Sequence, residues 1–208
     1  MPQRQTVLAA KQAAEVDVLS DGRLRLGVGT GWNYVEYESL SVDWDQRGRL
    51  LDEQINVMRE LWSNAVVSID TDFHRIDRAG IAPRPKESIP IWLGGSTEVA
   101  MRRAARLGDG FTFASAGSRT VEMAERLREI VSAANRDATS YPIEFNMPYG
   151  LGPEKWETLT SQAEDASITH LCINTMSVTS EWAGTPPSGL DTPDDHIAGL
   201  ERFMQIVR

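Results

Sequence analysis

Two glycine-bearing segments hold the residue types that could receive a ligand. One is Gly94-Gly95-Ser96, directly after the apolar run Ile91-Trp92-Leu93; the other is Gly27-Val28-Gly29-Thr30-Gly31-Trp32, directly after Arg23-Leu24-Arg25-Leu26. In the first, a backbone without side chains at the start of a helix lets an anion approach peptide N–H groups and the positive end of the helix dipole. The same glycines would equally serve a plain tight strand-to-helix turn, and the tripeptide alone does not separate the two readings. Ser96 is expected to cap the helix and still offer its hydroxyl. Glu98, in the same first turn, would repel a phosphate unless it faces solvent; Arg102, Arg103 and Arg106 are expected on a solvated outer face. In the second segment, Gly29 and Gly31 leave room for a flat ring at a strand end, and Trp32 can wall the pocket. A glycine-rich turn beside a core tryptophan is the structural alternative. Asn33 and Glu36 are the polar candidates beside it for substrate contacts.

Other chemistries find less support. His74, His170 and His196 are scattered without metal-ligand spacing, so no metal site is expected. His170 is expected in a strand core, His74 on a surface loop and His196 in a terminal helix. None of Lys11, Lys86 and Lys155 ends a strand, which argues against a Schiff-base aldolase. Neither a Gly-x-Ser-x-Gly elbow nor a Walker loop is present, and no residue is assigned as acid or base. Cys172 is the single cysteine; it cannot form an internal disulfide and is expected to be buried, which suits a reducing cytoplasm. A net charge of −9 argues against binding to nucleic acid or an anionic membrane. Any anionic ligand must then be held locally, by backbone amides or a few arginines. No apolar run approaches the roughly 18 residues of a membrane helix, and the first twenty residues lack a signal-peptide core.

The elements that must position these residues follow from periodicity. Residues 4–19 are expected to form an alanine-rich helix, stopped by Ser20-Asp21-Gly22. Leu24, Leu26 and Val28 alternate as in a strand that ends in glycines. The clearest amphipathic helix spans 45–62, with Leu51, Ile55, Met58 and Trp62 on one stripe, flanked by Leu50, Val57 and Leu61. Residues 65–88 form a long inserted connection with room for a small hairpin. Strand 90–94, helix 96–107, strand 110–114 and a helix carrying Met123, Leu127, Ile130 and Ala134 on one face follow. The rhythm continues with strand 141–151, helix 154–166, strand 168–175 and helix 192–207, opened by Thr192 as cap and Pro193 at its first position. About five strands, each followed by a helix, imply a parallel sheet of right-handed βα units in an α/β fold. The segment 176–193, rich in glycine, proline and serine, would lie at the C-terminal edge of that sheet, where ligands bind.

The stretches "LSDGRLRLGVGTGWNYVEYESL", "RGRLLDEQINVMRELW" and "PRPKESIPIWLGGSTEVAMRRAARLGDGFTF" resemble, in order and spacing, the bacterial luciferase-like monooxygenase superfamily. The similarity is greatest to its actinobacterial branch of deazaflavin (coenzyme F-420)-dependent oxidoreductases. It runs over nearly the whole chain and is strongest from 16 to 115. The resemblance implies a (β/α)8 TIM-barrel-like fold that binds FMN or the deazaflavin at the C-terminal ends of its strands. The phosphate would sit against Gly94, Gly95 and Ser96, and the segment of Gly29, Gly31 and Trp32 would lie beside the cofactor. It also implies a small-molecule substrate and hydride transfer through the cofactor ring. Two departures stand out. An eight-stranded barrel takes about 250 residues, and "RLRLGVG" aligns with the fourth strand, so the first three βα units have no counterpart in these 208 residues. In the insertion, Thr71 and His74 stand where relatives carry glycine and tyrosine. The resemblance thus implies a single, incomplete barrel domain over 1–208, either an active oxidoreductase or a non-catalytic remnant that binds cofactor weakly or pairs with another chain.

An incomplete barrel has open edges, at "RLRLGVG" and at "ITHLCINT", and would uncover the inner faces of Leu24, Leu26, Leu171 and Ile173. Residues 1–19 and 175–191 folding over the gap is one remedy. A second copy is the other, and a homodimer is the expectation, with helix 4–19 among those through which the resemblance implies dimerisation.

Overall fold

The computed structural model describes residues 1–177 and 184–207. The expected βα rhythm is present, and the described residues fall into two compact units: Met1–Leu93 with Leu107–Asp109, and Gly94–Arg106 with Gly110–Arg208.

The first unit begins with α1 (Thr6–Leu19), followed by β1 (Leu26–Val28), a short α2 (Tyr34–Ser39) and α3 (Arg47–Ser63). The insertion is an antiparallel hairpin of β2 (Val67–Asp70) and β3 (Arg75–Ala79), and β4 (Ile91–Gly94) ends at the glycines. Strands β1 and β4 pair in parallel, with Leu26 opposite Ile91 and Val28 opposite Leu93. Thr6, Ala10, Ala13, Ala14 and Asp17 form the buried stripe of α1, small enough to bring its backbone close to α3. Trp62 fills the seam and donates its indole N–H to the Ala10 carbonyl at 2.9 Å. The stripe expected on α3 is buried, and so is Gln54, which periodicity alone assigns to no apolar face. Gln54 is buried because its amide has work there: Nε2 donates to the Arg4 carbonyl at 3.0 Å and to Thr6 Oγ1 at 3.1 Å.

His74 is no surface loop residue. Its Nδ1 lies 2.6 Å from Glu53 Oε1, and its Nε2 lies 2.5 Å from Thr6 Oγ1, so one imidazole joins the hairpin turn to α1 and α3. A carboxylate only accepts, so Nδ1 carries the proton of the neutral ring and the Thr6 hydroxyl donates to Nε2. Thr71 also donates to Glu53, and the Phe73 N–H does so at 3.3 Å. The two departures from the family pattern in this insertion, Thr71 and His74, therefore meet on one carboxylate.

The second unit carries α4 (Glu98–Leu107), β5 (Gly110–Phe113), α5 (Ser118–Ala133), β6 (Ile143–Pro148), α6 (Pro153–Asp165), β7 (His170–Asn174) and α7 (Pro193–Ile206). Strands β5, β6 and β7 pair in parallel in chain order, Phe111 facing Ile143 and Phe145 facing Leu171. Together with β1 and β4 this makes five parallel strands, the number expected. Phe111, Phe113 and Phe145 pack edge to face with centroids 4.7 and 5.9 Å apart. A second cluster joins Met147, Tyr149, Trp156 and Phe203. The buried stripe of α5 runs Thr120, Ala124, Leu127, Ile130 and Val131, so Met123 and Ala134 are rotated off the face assigned to them. Thr192 and Asp195 form a capping box on α7, with Pro193 at its first position as expected. His170 is exposed rather than in a strand core, and Cys172 is only half-buried, because β7 covers fewer of its side chains than its apolar sequence suggests. Leu24, Leu26, Leu171 and Ile173 are likewise half-buried. Within segment 176–193, residues 178–183 lie outside the described residues.

Burial opposes the ionisation of Glu53, but hydrogen bonds from Thr71, His74 and the Phe73 peptide outweigh it and hold its carboxyl below the ordinary carboxylate value. A depressed folded-state value stabilises the fold above the unfolded value, and that stability is lost as pH falls through the folded one. We predict that Glu53→Gln costs about 1–2 kcal/mol at neutral pH. The variant's urea midpoint should also fall less steeply than the parent's on acidification through the carboxylate range. Identical pH profiles would show that this anchor does not carry stability.

Candidate functional site

The two candidate segments each follow the C-terminal end of a parallel strand, in different units. In the first unit, Gly31 has φ 78°, a left-handed conformation that glycine adopts without the cost other residues bear. Gly29 has open space where a side chain would be, so nothing within the fold demands glycine there. Trp32 is 70% exposed. The two polar residues after it have structural employment. Asn33 caps α2 by accepting from the Val35 N–H at 3.2 Å, and Glu36 accepts from Gln3 Nε2 at 2.5 Å and from Asn33 Nδ2 at 3.3 Å. Tyr37, fully buried, donates to the Thr30 carbonyl and packs edge-on against Trp44 at 5.0 Å. That anchor fixes the path of the glycine loop. Its cause is a short helix that periodicity did not reveal, α2 being only six residues long.

In the second unit, the turn that ends β4 is set by contact. A Cβ on Gly95 would stand 2.7 Å from the Ala100 Cβ, at φ 155°, and one on Gly94 would stand 3.2 Å from Thr112 Cγ2. Both glycines thus have a packing reason as well as any binding one. The helix starts later than expected, at Glu98, and its cap is Thr97, whose Oγ1 accepts from the Ala100 N–H at 3.3 Å. Ser96 is therefore not the cap; it is exposed and lines an open pocket of about 460 Å³. Glu98 is turned outward: it pairs with Arg102, whose Nε lies 2.9 Å away, and with Arg126 at 3.3 Å. Arg102 first, then Arg126, hold its carboxyl below the ordinary value.

The rest of the pocket comes from a segment that sequence reasoning missed. Ser115, Gly117, Ser118, Arg119 and Thr120, at the end of β5 and the start of α5, line it together with Ser96. Gly117 stands at the N-cap of α5 with no side-chain cap, and its carbonyl accepts from the N–H groups of Thr120 and Val121 at 2.9 and 3.0 Å. The earlier N–H groups of the helix, at Ser118 and Arg119, have no acceptor within it, as at any helix start. Among the described residues Arg119 makes no ion pair, although a cation at a helix N-terminus faces the like-signed end of the dipole. Serine hydroxyls, uncapped amides and a guanidinium without an ion pair on one pocket are groups that can make hydrogen-bonded contact with an oxyanion. The signal in the sequence was "ASAGSRT", a small-residue turn with one arginine directly after a strand.

No group of three His, Cys, Asp or Glu side chains suited to a metal occurs among the described residues, nor does any helix long and apolar enough to cross a membrane.

The luciferase-like monooxygenase family model matches residues 1–153. An F420-dependent glucose-6-phosphate dehydrogenase from Nakamurella multipartita is 26% identical over 216 aligned positions, covering 95% of this chain and 63% of its own length. One from Mycolicibacterium smegmatis is 34% identical over 70% of this chain and 46% of its own. Among solved structures, monooxygenase RslO1 from Streptomyces bottropensis superposes with a TM-score of 0.62 at 21% identity, covering 99% of this chain and 65% of that one. An F420-dependent secondary alcohol dehydrogenase superposes with a TM-score of 0.61 at 17% identity, covering 97% and 67%. These likenesses show the fold, and the chain spans under two thirds of the length of the curated relatives cited.

The close approach of Gly95 to Ala100 generates a stability prediction. Gly95→Ala should cost about 1–3 kcal/mol through strain and overlap, read as a lowered urea midpoint with the α-helical signal retained. Gly94→Ala, with a movable threonine methyl as its neighbour, should cost less. Equal and negligible losses would show that the turn can relax.

Proposed function

The chain belongs to the luciferase-like monooxygenase family, and from that membership we propose a flavin- or deazaflavin-dependent oxidoreductase, taking FMN or coenzyme F-420 and acting on a small molecule. The observation that carries the proposal is the oxyanion receptor in the second unit, where Arg119, Ser96 and the start of α5 line one pocket. Those residues fit the phosphate-bearing tail that FMN and F-420 share. The bound cofactor would supply hydride transfer and, with FMN, oxygen activation. The protein's part is to anchor the phosphate, fix the ring's orientation and exclude water. Gly94, Gly95 and Ser96 keep the turn open to the tail. Gly29, Gly31 and Trp32 are the proposed contacts at the ring, where a bare Gly29 admits a flat surface. The pairing of Glu98 with Arg102 and Arg126 keeps a carboxylate of the first turn of α4 away from the phosphate.

Titration with FMN and with F-420, followed by absorbance and fluorescence, tests this. Arg119→Glu should weaken binding of either by at least about tenfold, the scale of one charge-assisted hydrogen bond. Unchanged affinity for both would place the tail elsewhere.

The reading includes a homodimer. Helix α1 is apolar beyond its buried stripe: Val7, Leu8, Val16, Val18 and Leu19 are all exposed, Leu19 at 87%. Apolar side chains gathered on the exposed part of one helix mark a candidate interface. Sedimentation should give twice 23.1 kDa, and Leu8→Glu with Leu19→Glu should return the monomer. A parent that sediments at 23.1 kDa overturns the dimer.

A further inference from the structure

Three of the four residues 32–35 present large apolar side chains to solvent: Trp32, Tyr34 at 56% and Val35 at 64% exposure. They stand just past the C-terminal end of β1, the end of a parallel strand at which ligands bind in α/β folds. Other side chains hold these rings from behind. The Tyr34 ring meets Trp44 edge-on at 5.8 Å, and Tyr37 meets the same indole at 5.0 Å. Arg47 lies over that indole at 3.7 Å and donates to the Trp44 carbonyl at 2.7 Å. Tyr37 in turn donates to the Thr30 carbonyl, which ties the aromatic group to the glycine loop. The polar residues among them are engaged within the fold, Asn33 as the cap of α2 and Glu36 with Gln3 and Asn33. Residues 30–47 carry four carboxylates, Glu36, Glu38, Asp43 and Asp45, against the single cation Arg47.

We infer that Trp32, Tyr34 and Val35 form a subsite for a flat aromatic molecule without an anionic group, the substrate class of the oxidoreductase proposed above. Its service as a substrate subsite rests on that proposal; its capacity to bind an aromatic ring rests on these side chains alone. Aromatic pairs prefer offset or edge-on stacking, which two rings on one short segment can offer to a third. The three side chains leave roughly 300–400 Å² uncovered, well under the roughly 800 Å² per partner of a stable protein interface. The patch thus matches a small ring system better than a second protein. The excess of carboxylates disfavours an anion, and the engagement of Asn33 and Glu36 disfavours a hydroxyl-rich ligand.

The experiment is titration of the full chain with 1-naphthol, followed by amide and indole N–H chemical shifts, with 1-naphthoate and decahydro-1-naphthol as anionic and non-aromatic controls. It is run without cofactor and again with FMN; if FMN fails to bind, the first arm still decides whether the platform takes an aromatic ring. Saturable shifts at Trp32, Tyr34 and Val35 are expected with 1-naphthol, both controls being at least about threefold weaker, within the range one aromatic pair carries. Trp32→Ala and Tyr34→Ala should each weaken 1-naphthol by a similar factor, whereas Tyr34→Phe, which keeps the ring, should not. Absence of saturable shifts, or equal affinity for 1-naphthol and either control, overturns the inference. Loss of binding in Tyr34→Phe does so too, by making the hydroxyl the contact. Displacement of 1-naphthol by FMN overturns it by giving the platform to the cofactor. Shifts at these residues that grow with protein concentration alone overturn it by giving the patch to a second copy.

Discussion

One carboxylate decides where β4 begins. Asp109 Oδ2 accepts from the Ile91 N–H at 2.9 Å and from Arg59 at 2.8 Å, while the Asp109 N–H donates to the Ile91 carbonyl at 2.7 Å. Both polar groups of the first residue of β4 are thus satisfied by one residue, which α3 holds in place through Arg59. The strand that follows is buried at Ile91, Trp92 and Leu93, and its pairing with β1 sets Leu93 opposite Val28. The start of β4 against β1 follows from that anchor. Half-exposed as the ion pair is, Coulomb attraction alone would give it little. Its value lies in completing a backbone hydrogen-bond set that would otherwise be left unmade.

A second polar device serves the insertion. A hairpin of two short strands is marginal by itself, and β2 and β3 are exposed along most of their length. Glu53 and His74 tie its turn to α3 and, through Thr6, to α1. Apolar burial could not do this, since the turn offers only Phe73, half-buried. A directed chain of hydrogen bonds achieves the same fixation at one point, at the cost of burying Gln54 with its Oε1 unpaired.

Helices and strands were legible where their period was uninterrupted. Leu51, Ile55, Met58 and Trp62 assign α3 because each helical turn contributes one apolar residue to a wide face, and Thr192 as cap with Pro193 at the first position assigns the start of α7. Legibility failed where a side chain acts through a specific partner distant in sequence. Gln54 and His74 look like surface residues until the Thr6 hydroxyl, 48 and 68 positions away, is placed beside them. The stripe on α5 was displaced because Ala124 and Thr120, small and weakly apolar, hold buried positions that Met123 and Ala134 seemed better suited to fill. Of the candidate site, the glycine turns were legible because glycine after a strand has few uses. Arg119 was not, since an arginine in the first turn of a helix makes no sense without its pocket.

The charge balance makes the last point. A chain of net charge −9 repels anions at long range, yet screening confines that field to about 8–10 Å at physiological ionic strength. An oxyanion is therefore governed by the groups it touches. In the second unit Glu98, in the first turn of α4, is engaged by two arginines, whereas Arg119 is not engaged by any carboxylate among the described residues. The unit's cations serve different ends: Arg102 and Arg126 neutralise the first turn of α4, while Arg119 makes no ion pair among the described residues. An all-basic patch would attract polyanions indiscriminately. A single uncommitted guanidinium beside uncapped amides, in an acidic molecule, instead favours a compact anion that can reach all of them at once. The excess of acid in the sequence is thus compatible with an anionic ligand because it sharpens the choice among anions.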